Sequence, residues 1–199
     1  MSAPEDIFDI VDEEDRVIGQ APRSKCHGNP NLIHRVAHVL VFDSRDRLLL
    51  QKRHPSKDIQ PDKWDTSVGG HLEPGENYLD AARREMAEEL GIIGVPLTFL
   101  YESKIRNEIE SENVATYLAR WDGPIEFNPA EITEVRYWTR DEIEAAIGNG
   151  IFTPNFEEEW LMYVGWCRRY PTRTGSAVAL CAGDAFPDIV QSEDVVHKK

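Results

Sequence analysis

One stretch, Gly70 to Ile92, constrains this chain more than any other, because it sets a loop, a helix and a cluster of charge in a single run. Gly70 and the Pro74-Gly75 pair break regular structure and mark the loop. Asn77 is an N-cap residue, and Asp80 three positions on resembles the second member of a capping box. From there to Leu90 no Gly or Pro intervenes, and Leu79, Ala82, Met86 and Leu90 fall on one stripe at helical spacing. Gly91 is a stop just past the last turn. Glu85, Glu88 and Glu89 stand at i, i+3 and i+4, so their carboxylates share a face beside that stripe. Like charges at that spacing cost a helix roughly 0.2–0.5 kcal/mol per pair, and a cation held between them reverses the sign. Hard oxygen donors in this number suit Mg²⁺, with Mn²⁺ as the alternative, and Mg²⁺ completes its shell with waters and phosphate oxygens. Arg84 lies four residues before Glu88 and can pair with it, while Glu76 in the preceding loop could reach the same cluster.

An acidic helix face with no further context reads as solvated surface. Here the spacing adds context: Gly70, five residues, Glu76, seven residues, then Arg84-Glu85-Met86, Glu88-Glu89, Gly91-Ile92. From average residue frequencies, a chance match is on the order of 10⁻⁷. The run resembles the Nudix box and fills each of its fixed positions. The resemblance extends more loosely from about residue 5 to about residue 165. It implies an α/β fold, a Nudix-type α/β/α sandwich with a mixed sheet, and hydrolysis of a diphosphate linked to another group. It also implies roles: Mg²⁺ held by Glu85, Glu88 and Glu89 with Glu76 in reach, Arg84 orienting the glutamates, and Glu88, Glu89 or Glu112 taking the proton of the attacking water. The Gly69-Gly70 backbone lets chain and ligand approach closely.

A chain of 199 residues suits one domain with an appendage. The expected division is a hairpin and irregular lead-in over 1–30, the Nudix domain over 31–170, and a weakly ordered tail over 171–199. A net charge of −14 argues against nucleic acid as a partner but not against a phosphorylated small molecule, because a metal can supply local positive charge. Cys26, Cys167 and Cys181 form no ligand spacing and read as free thiols of a reducing cytosol. No apolar run reaches signal-peptide or membrane-spanning form, so a cytoplasmic protein with no membrane partner is expected. A homodimer is left open.

Along the chain, Ile7–Val11 and Val17–Gln20 read as an N-terminal β-hairpin around an acidic turn, and residues 21–31 as irregular. Arg35–Phe42 and Leu48–Arg53 read as a second hairpin, and Thr66–Val68 as a short strand. After the helix, Leu97–Lys104 and Val114–Trp121 read as strands joined by a loop over 105–113, followed by a strand at Glu134–Trp138. Arg140–Ile147 and Asn155–Arg169 read as helices, the latter with Phe156, Trp160, Tyr163 and Val164 on one side. Lys52, Arg53 and Lys57 are candidate phosphate contacts, against the plain alternative of exposed strand-end cations.

Three softer patterns resemble the branch that includes type I isopentenyl-diphosphate isomerase: Asp12-Glu13-Glu14 with Gly19, the run Trp64 to His71, and Phe152-Thr153-Pro154 followed by Phe156 and Trp160. That resemblance implies a second metal site from His27, His34 and His71 with Glu110 and Glu112, each residue otherwise being an ordinary satisfied polar group. The isomerases carry a cysteine directly before the Gly-His pair; here that residue is Gly69, whose side chain can move no proton. Hydrolase is therefore the first reading, an isomerase-like enzyme the second, and a non-catalytic diphosphate-binding module the third. The loops around 21–34, 54–63 and 105–113 carry no readable code for the group joined to the diphosphate.

Overall fold

The computed structural model describes residues 5–170. The expectation for 171–199, and Cys181 within it, lies outside the described residues. Strands β1 (Ile7–Val11) and β2 (Val17–Pro22) form a two-stranded sheet of their own. Asp12 closes its turn by accepting from the backbone N–H of Glu14 and Arg16 at 3.0 and 2.9 Å. The lead-in is not wholly irregular: α1 (Arg23–Cys26) makes one turn and buries Cys26.

The main sheet has seven strands. They are β3 (His34–Phe42), β4 (Leu48–Arg53), β5 (Trp64–Asp65), β6 (Val68–His71), β7 (Thr98–Arg106), β8 (Ser111–Arg120) and β9 (Ile132–Trp138). Strand β3 lies at the centre, parallel to β8 over nine registered pairs and antiparallel to β6. The expected β3–β4 hairpin is present but short: the antiparallel strands meet across the Asp43–Arg47 turn and share a single registered pair, Phe42 with Leu48, after which β4 leaves to pair with β9 and β5. The strands were readable from their apolar runs, but such runs carry no information about partners. Where β3 and β4 part, the sheet opens, and the cleft described below forms there.

Helix α2 (Tyr78–Leu90) starts where Asn77 Oδ1 accepts from the Asp80 N–H at 3.0 Å. It is a single-sided cap rather than a full capping box, because the Asp80 carboxylate accepts from the Asn77 side-chain amide instead of its backbone. Gly91 ends the helix with φ at 67°, and a Cβ there would also crowd Glu126 at 3.1 Å. The helix buries Ala82, Met86 and Leu90 against Ala37, Val39 and Ala115 on one face of the sheet. Each of its large apolar side chains contributes about 1.5–3 kcal/mol by leaving water. The opposite face carries α3 (Arg140–Ala146) and α4 (Pro154–Arg169), whose Phe156, Trp160 and Tyr163 pack on Leu40, Phe42 and Leu50. Thr153 caps α4, accepting from the Phe156 N–H at 3.1 Å, and Pro154 takes the first helical position, where its missing N–H costs nothing. The result is a mixed sheet between two helical layers with the hairpin attached at one end. Among the described residues no helix is long and apolar enough to cross a membrane.

Candidate active site

A polar cleft of about 660 Å³ opens where β3 and β4 diverge, with Gly69 and Gly70 on its floor. Successive strand residues point to opposite faces, so the two glycines open opposite sides. On the α2 side, a Cβ at Gly70 would overlap the Glu85 carboxyl. Gly70 therefore gives Glu85 its place. Glu88 stands out in solvent while Glu89 is buried, its Oε2 accepting from Gln51 Nε2 at 2.9 Å. Arg84 ties the wall together: NH1 donates to Glu85 Oε1 at 2.7 Å and to Glu88 Oε2 at 3.2 Å, and NH2 donates to the His71 carbonyl at 3.0 Å.

Burial pushes the Glu89 carboxyl up to about 8, helped by the nearby charges of Glu85 and Glu131. Burial also raises Glu85. Two carboxyls that resist ionising alone, side by side and open to a cleft, form a donor set that a divalent cation satisfies. Glu131, just before β9, faces the same cluster and accepts from Lys57 Nζ at 2.7 Å. Sequence reasoning missed it, since nothing in the Ala130-Glu131-Ile132 run marks it as facing α2.

Glu76 is corrected. It does not line the cleft; its carboxylate takes a two-pronged bond from Arg84, Nε to Oε1 at 3.1 Å and NH2 to Oε2 at 2.8 Å, and also accepts from the Glu73 N–H. It fixes Arg84 rather than joining Glu85, Glu88 and Glu89. Lys52 is corrected too: Gln51 and Arg53 line the cleft and Lys52 does not, pointing to the other side from Gln51 just before a register shift between Lys52 and Arg53. Arg53 and Lys57 do line the cleft, but each is held by a carboxylate, Asp65 at 3.0 Å and Glu131 at 2.7 Å.

On the other side of the glycine pair, His27, His34, His71 and Glu112 present ligand atoms that all lie within 4.8 Å of one another. Glu112 Oε1 lies 3.3 Å from His34 Nε2 and 3.4 Å from His71 Nε2. Neither contact is aligned as a hydrogen bond, and the Nε2 atoms of all three histidines are buried with no hydrogen-bond partner among the described residues. Four lone-pair donors thus converge on one point. Burial drives His27 down to about 4 and lowers His71, against the pull of Glu112. Burial also works to raise Glu112, but His34 and His71 outweigh it and hold this carboxyl well below the usual range. Glu112 is not a loop residue as expected: strand β8 begins at Ser111 and pairs Glu112 with His34. Glu110 is corrected out of this cluster, since its carboxylate accepts from Asn155 Nδ2 at 2.8 Å.

The N-terminal hairpin closes this end of the cleft. The Phe8 ring stacks on His71 with centroids 4.3 Å apart and on His34 at 5.2 Å. Asp9 accepts from the Gly75 N–H at 2.7 Å and from Arg35 NH2 at 3.0 Å, fastening the hairpin to the loop before α2. The sequence marks the strands and acidic turn of this hairpin, but nothing in it shows that Phe8 and Asp9 face the site.

Comparison with known proteins gives a consistent outcome. Residues 32–156 match the family model described as the NUDIX domain. An uncharacterized Nudix hydrolase of Yersinia pestis is 40% identical over 149 residues, covering 74% of this chain and 79% of that protein. Isopentenyl-diphosphate Delta-isomerase 1 of Aromatoleum aromaticum is 35% identical over 147 residues, covering 70% of this chain and 82% of that enzyme. Among solved structures, DR0079 from Deinococcus radiodurans aligns with a TM-score of 0.67 at 29% identity, over 77% of this chain and 96% of that one.

Proposed function

Because the chain belongs to the Nudix family, we propose that it is a metal-dependent hydrolase that opens the phosphoanhydride bond of a small molecule carrying a diphosphate. The observation that carries this reading is the carboxylate wall: Glu85 and Glu88 held by Arg84, and Glu89 held by Gln51, at the edge of a cleft floored by Gly69 and Gly70. The donor set fits a hard divalent cation, Mg²⁺ first and Mn²⁺ second. When bound, such an ion neutralises phosphoryl charge and makes a coordinated water more acidic.

The chain's own residues supply the rest. Arg84 fixes the reach and direction of Glu85 and Glu88, and Gln51 does the same for Glu89. Glu88, and Glu89 when ionised, are the acceptors for the water's proton; Glu112 belongs to the histidine group on the other side of the glycine pair and is set apart from that task. The glycine backbone leaves room for phosphoryl oxygens against the sheet edge. The His27, His34, His71 and Glu112 group is proposed as a second cation site; neutral imidazoles and an ionised carboxylate are the forms that bind metal.

The test is phosphate and pyrophosphate release from a panel of diphosphate compounds with Mg²⁺ or Mn²⁺, wild type beside Glu89→Gln. Metal-dependent release that the substitution abolishes is the expected result. Turnover at the wild-type rate in the variant would sink the site assignment. Isomerase chemistry is the second reading, favoured by the histidine cluster and by the Aromatoleum relative. Isopentenyl diphosphate belongs in the panel for that reason: double-bond migration without phosphate release would put the second reading first.

A further inference from the structure

Between the histidine cluster and the apolar core lies a buried ion pair that neither metal group uses. His38 on β3 stands across from Gly69 on β6 and Thr116 on β8. Its side chain is 12% exposed and lines the cleft. Its Nδ1 lies 3.1 Å from Oε1 of Glu159, which reaches the sheet from α4 and is itself 2% exposed. Thr116 Oγ1 donates to the same carboxylate oxygen at 3.0 Å. An imidazole whose Nδ1–H is taken by a fixed carboxylate has its orientation set and its Nε2 turned to the opposite edge.

That edge meets Gly69. A Cβ at position 69 would stand 3.3 Å from His38 Cδ2 and 3.4 Å from Nε2. An alanine would press on the ring, and any longer side chain would cover it. Glycine leaves the ring edge open to the cleft, on the side of the sheet away from Glu85. The sequence showed only that Gly69 itself can carry no chemistry; the neighbouring strand places an imidazole there instead.

The surrounding charge says what that imidazole offers. Three acids act on it: Glu159 from α4, Glu112 from β8 and Asp65 from β5. Burial works to remove its proton, but the three acids together, Glu159 foremost, outweigh burial and push the ring up to about 9. The neighbouring cleft cations Arg53, Lys57 and Arg84 are engaged with Asp65, Glu131 and the α2 carboxylates. His38 also has an anionic partner, but only at one nitrogen.

We propose that His38 is a substrate-binding residue of this cleft: its Nε2–H, aimed by Glu159 and uncovered by Gly69, donates a hydrogen bond to an anionic phosphoryl oxygen. Glu159 is the positioning residue. The proposal rests on the diphosphate reading above and names the face of the site where one phosphoryl group lies.

The experiment uses the ¹⁵N-labelled full chain and methylenediphosphonate, a diphosphate analogue whose bridge cannot be hydrolysed, with Mg²⁺. Imidazole resonances are followed during titration, and affinities are measured for wild type, His38→Gln and Glu159→Gln, each with its fold verified by circular dichroism. The expected result is a shift of the His38 Nε2 signal on binding and a tenfold to hundredfold loss of affinity in His38→Gln, the range for one charge-assisted hydrogen bond. Glu159→Gln should weaken binding at pH 8 more than at pH 6, because a neutral partner no longer holds the imidazole proton. Binding that leaves the His38 signal unmoved, with wild-type affinity in His38→Gln, overturns this proposal and leaves the hydrolase reading standing. A shifted His38 signal together with full turnover in Glu89→Gln does the reverse. No binding at all overturns both.

Discussion

Glu89→Gln should make the metal-free protein more stable at alkaline pH while removing its response to metal. The free carboxyl titrates near 4.5, and burial beside Glu85 and Glu131 pushes it to about 8 in the fold. Below 4.5 both states hold the proton, and no stability is gained or lost. Between the two values the unfolded chain releases a proton that the folded chain keeps, so each rise in pH favours unfolding. At 1.36 kcal/mol per pH unit, that interval sets a ceiling of ~5 kcal/mol for the metal-free fold above pH 8. Part of it is repulsion among carboxylates that can move apart on ionisation, so about 2 kcal/mol is the expected gain. Glutamine keeps the shape and can still accept from Gln51, but it never ionises. For a domain of this size the gain amounts to a Tm higher by about 4–8 °C at pH 8.5, with no difference at pH 4. Differential scanning calorimetry of the chelator-treated protein at both values measures it. Mg²⁺ at 10 mM or so should then raise the wild-type Tm and leave the variant unmoved. A variant less stable than wild type at pH 8.5, or equally shifted at both pH values, would refute the claim that Glu89 is a strained carboxyl awaiting a cation.

Gly70→Ala should turn the Glu85 carboxylate out of its place, since a methyl group there overlaps it; calorimetric titration should show Mg²⁺ affinity lower by at least about tenfold, with far-UV circular dichroism unchanged. His34→Gln should abolish binding of Mn²⁺ or Zn²⁺ at the histidine cluster while Mg²⁺-dependent turnover persists in part, read by metal analysis after dialysis. Thr153→Ala removes the α4 cap and the bond Thr153 Oγ1 donates to Asp65 Oδ1 at 2.7 Å, and should cost about 1–2 kcal/mol in urea denaturation.

Helix α2 was legible almost to the residue, because its cap, its stripe and its terminal glycine are all local signals. The pairing of β3 with β8 was not, because a parallel pair is made by residues some eighty positions apart and its central strand is buried on both faces, leaving no alternation to read. The start of β8 was misplaced for a related reason. Ser111, Glu112 and Asn113 are polar and look like loop, yet they are strand residues facing a polar cleft and the hairpin instead of the apolar core. The short strand expected at Thr66–Val68 lies instead at Val68–His71, because its two glycines have no side chains to form a pattern.

The same contrast separates the two halves of the site. The α2 carboxylates are one helical turn apart, so spacing alone places them together. His38, Gly69, Thr116 and Glu159 come from three strands and a helix, and no local spacing joins them. One signal was nevertheless present: His34, Val36 and His38 alternate along β3, which puts both histidines on one face of the sheet. Followed across the registered pairs, that face gathers His71, Gly69, Glu112 and Thr116 as well. The opposite face holds the carboxylate wall. A diphosphate lying across Gly69 and Gly70 would therefore meet the α2 carboxylate wall on one side and the His38 donor on the other. The glycine pair has two separate jobs in this arrangement, since Gly70 makes room for Glu85 and Gly69 makes room at His38. A substitution at one should disturb metal binding and at the other phosphoryl binding, although the two residues are adjacent in the chain.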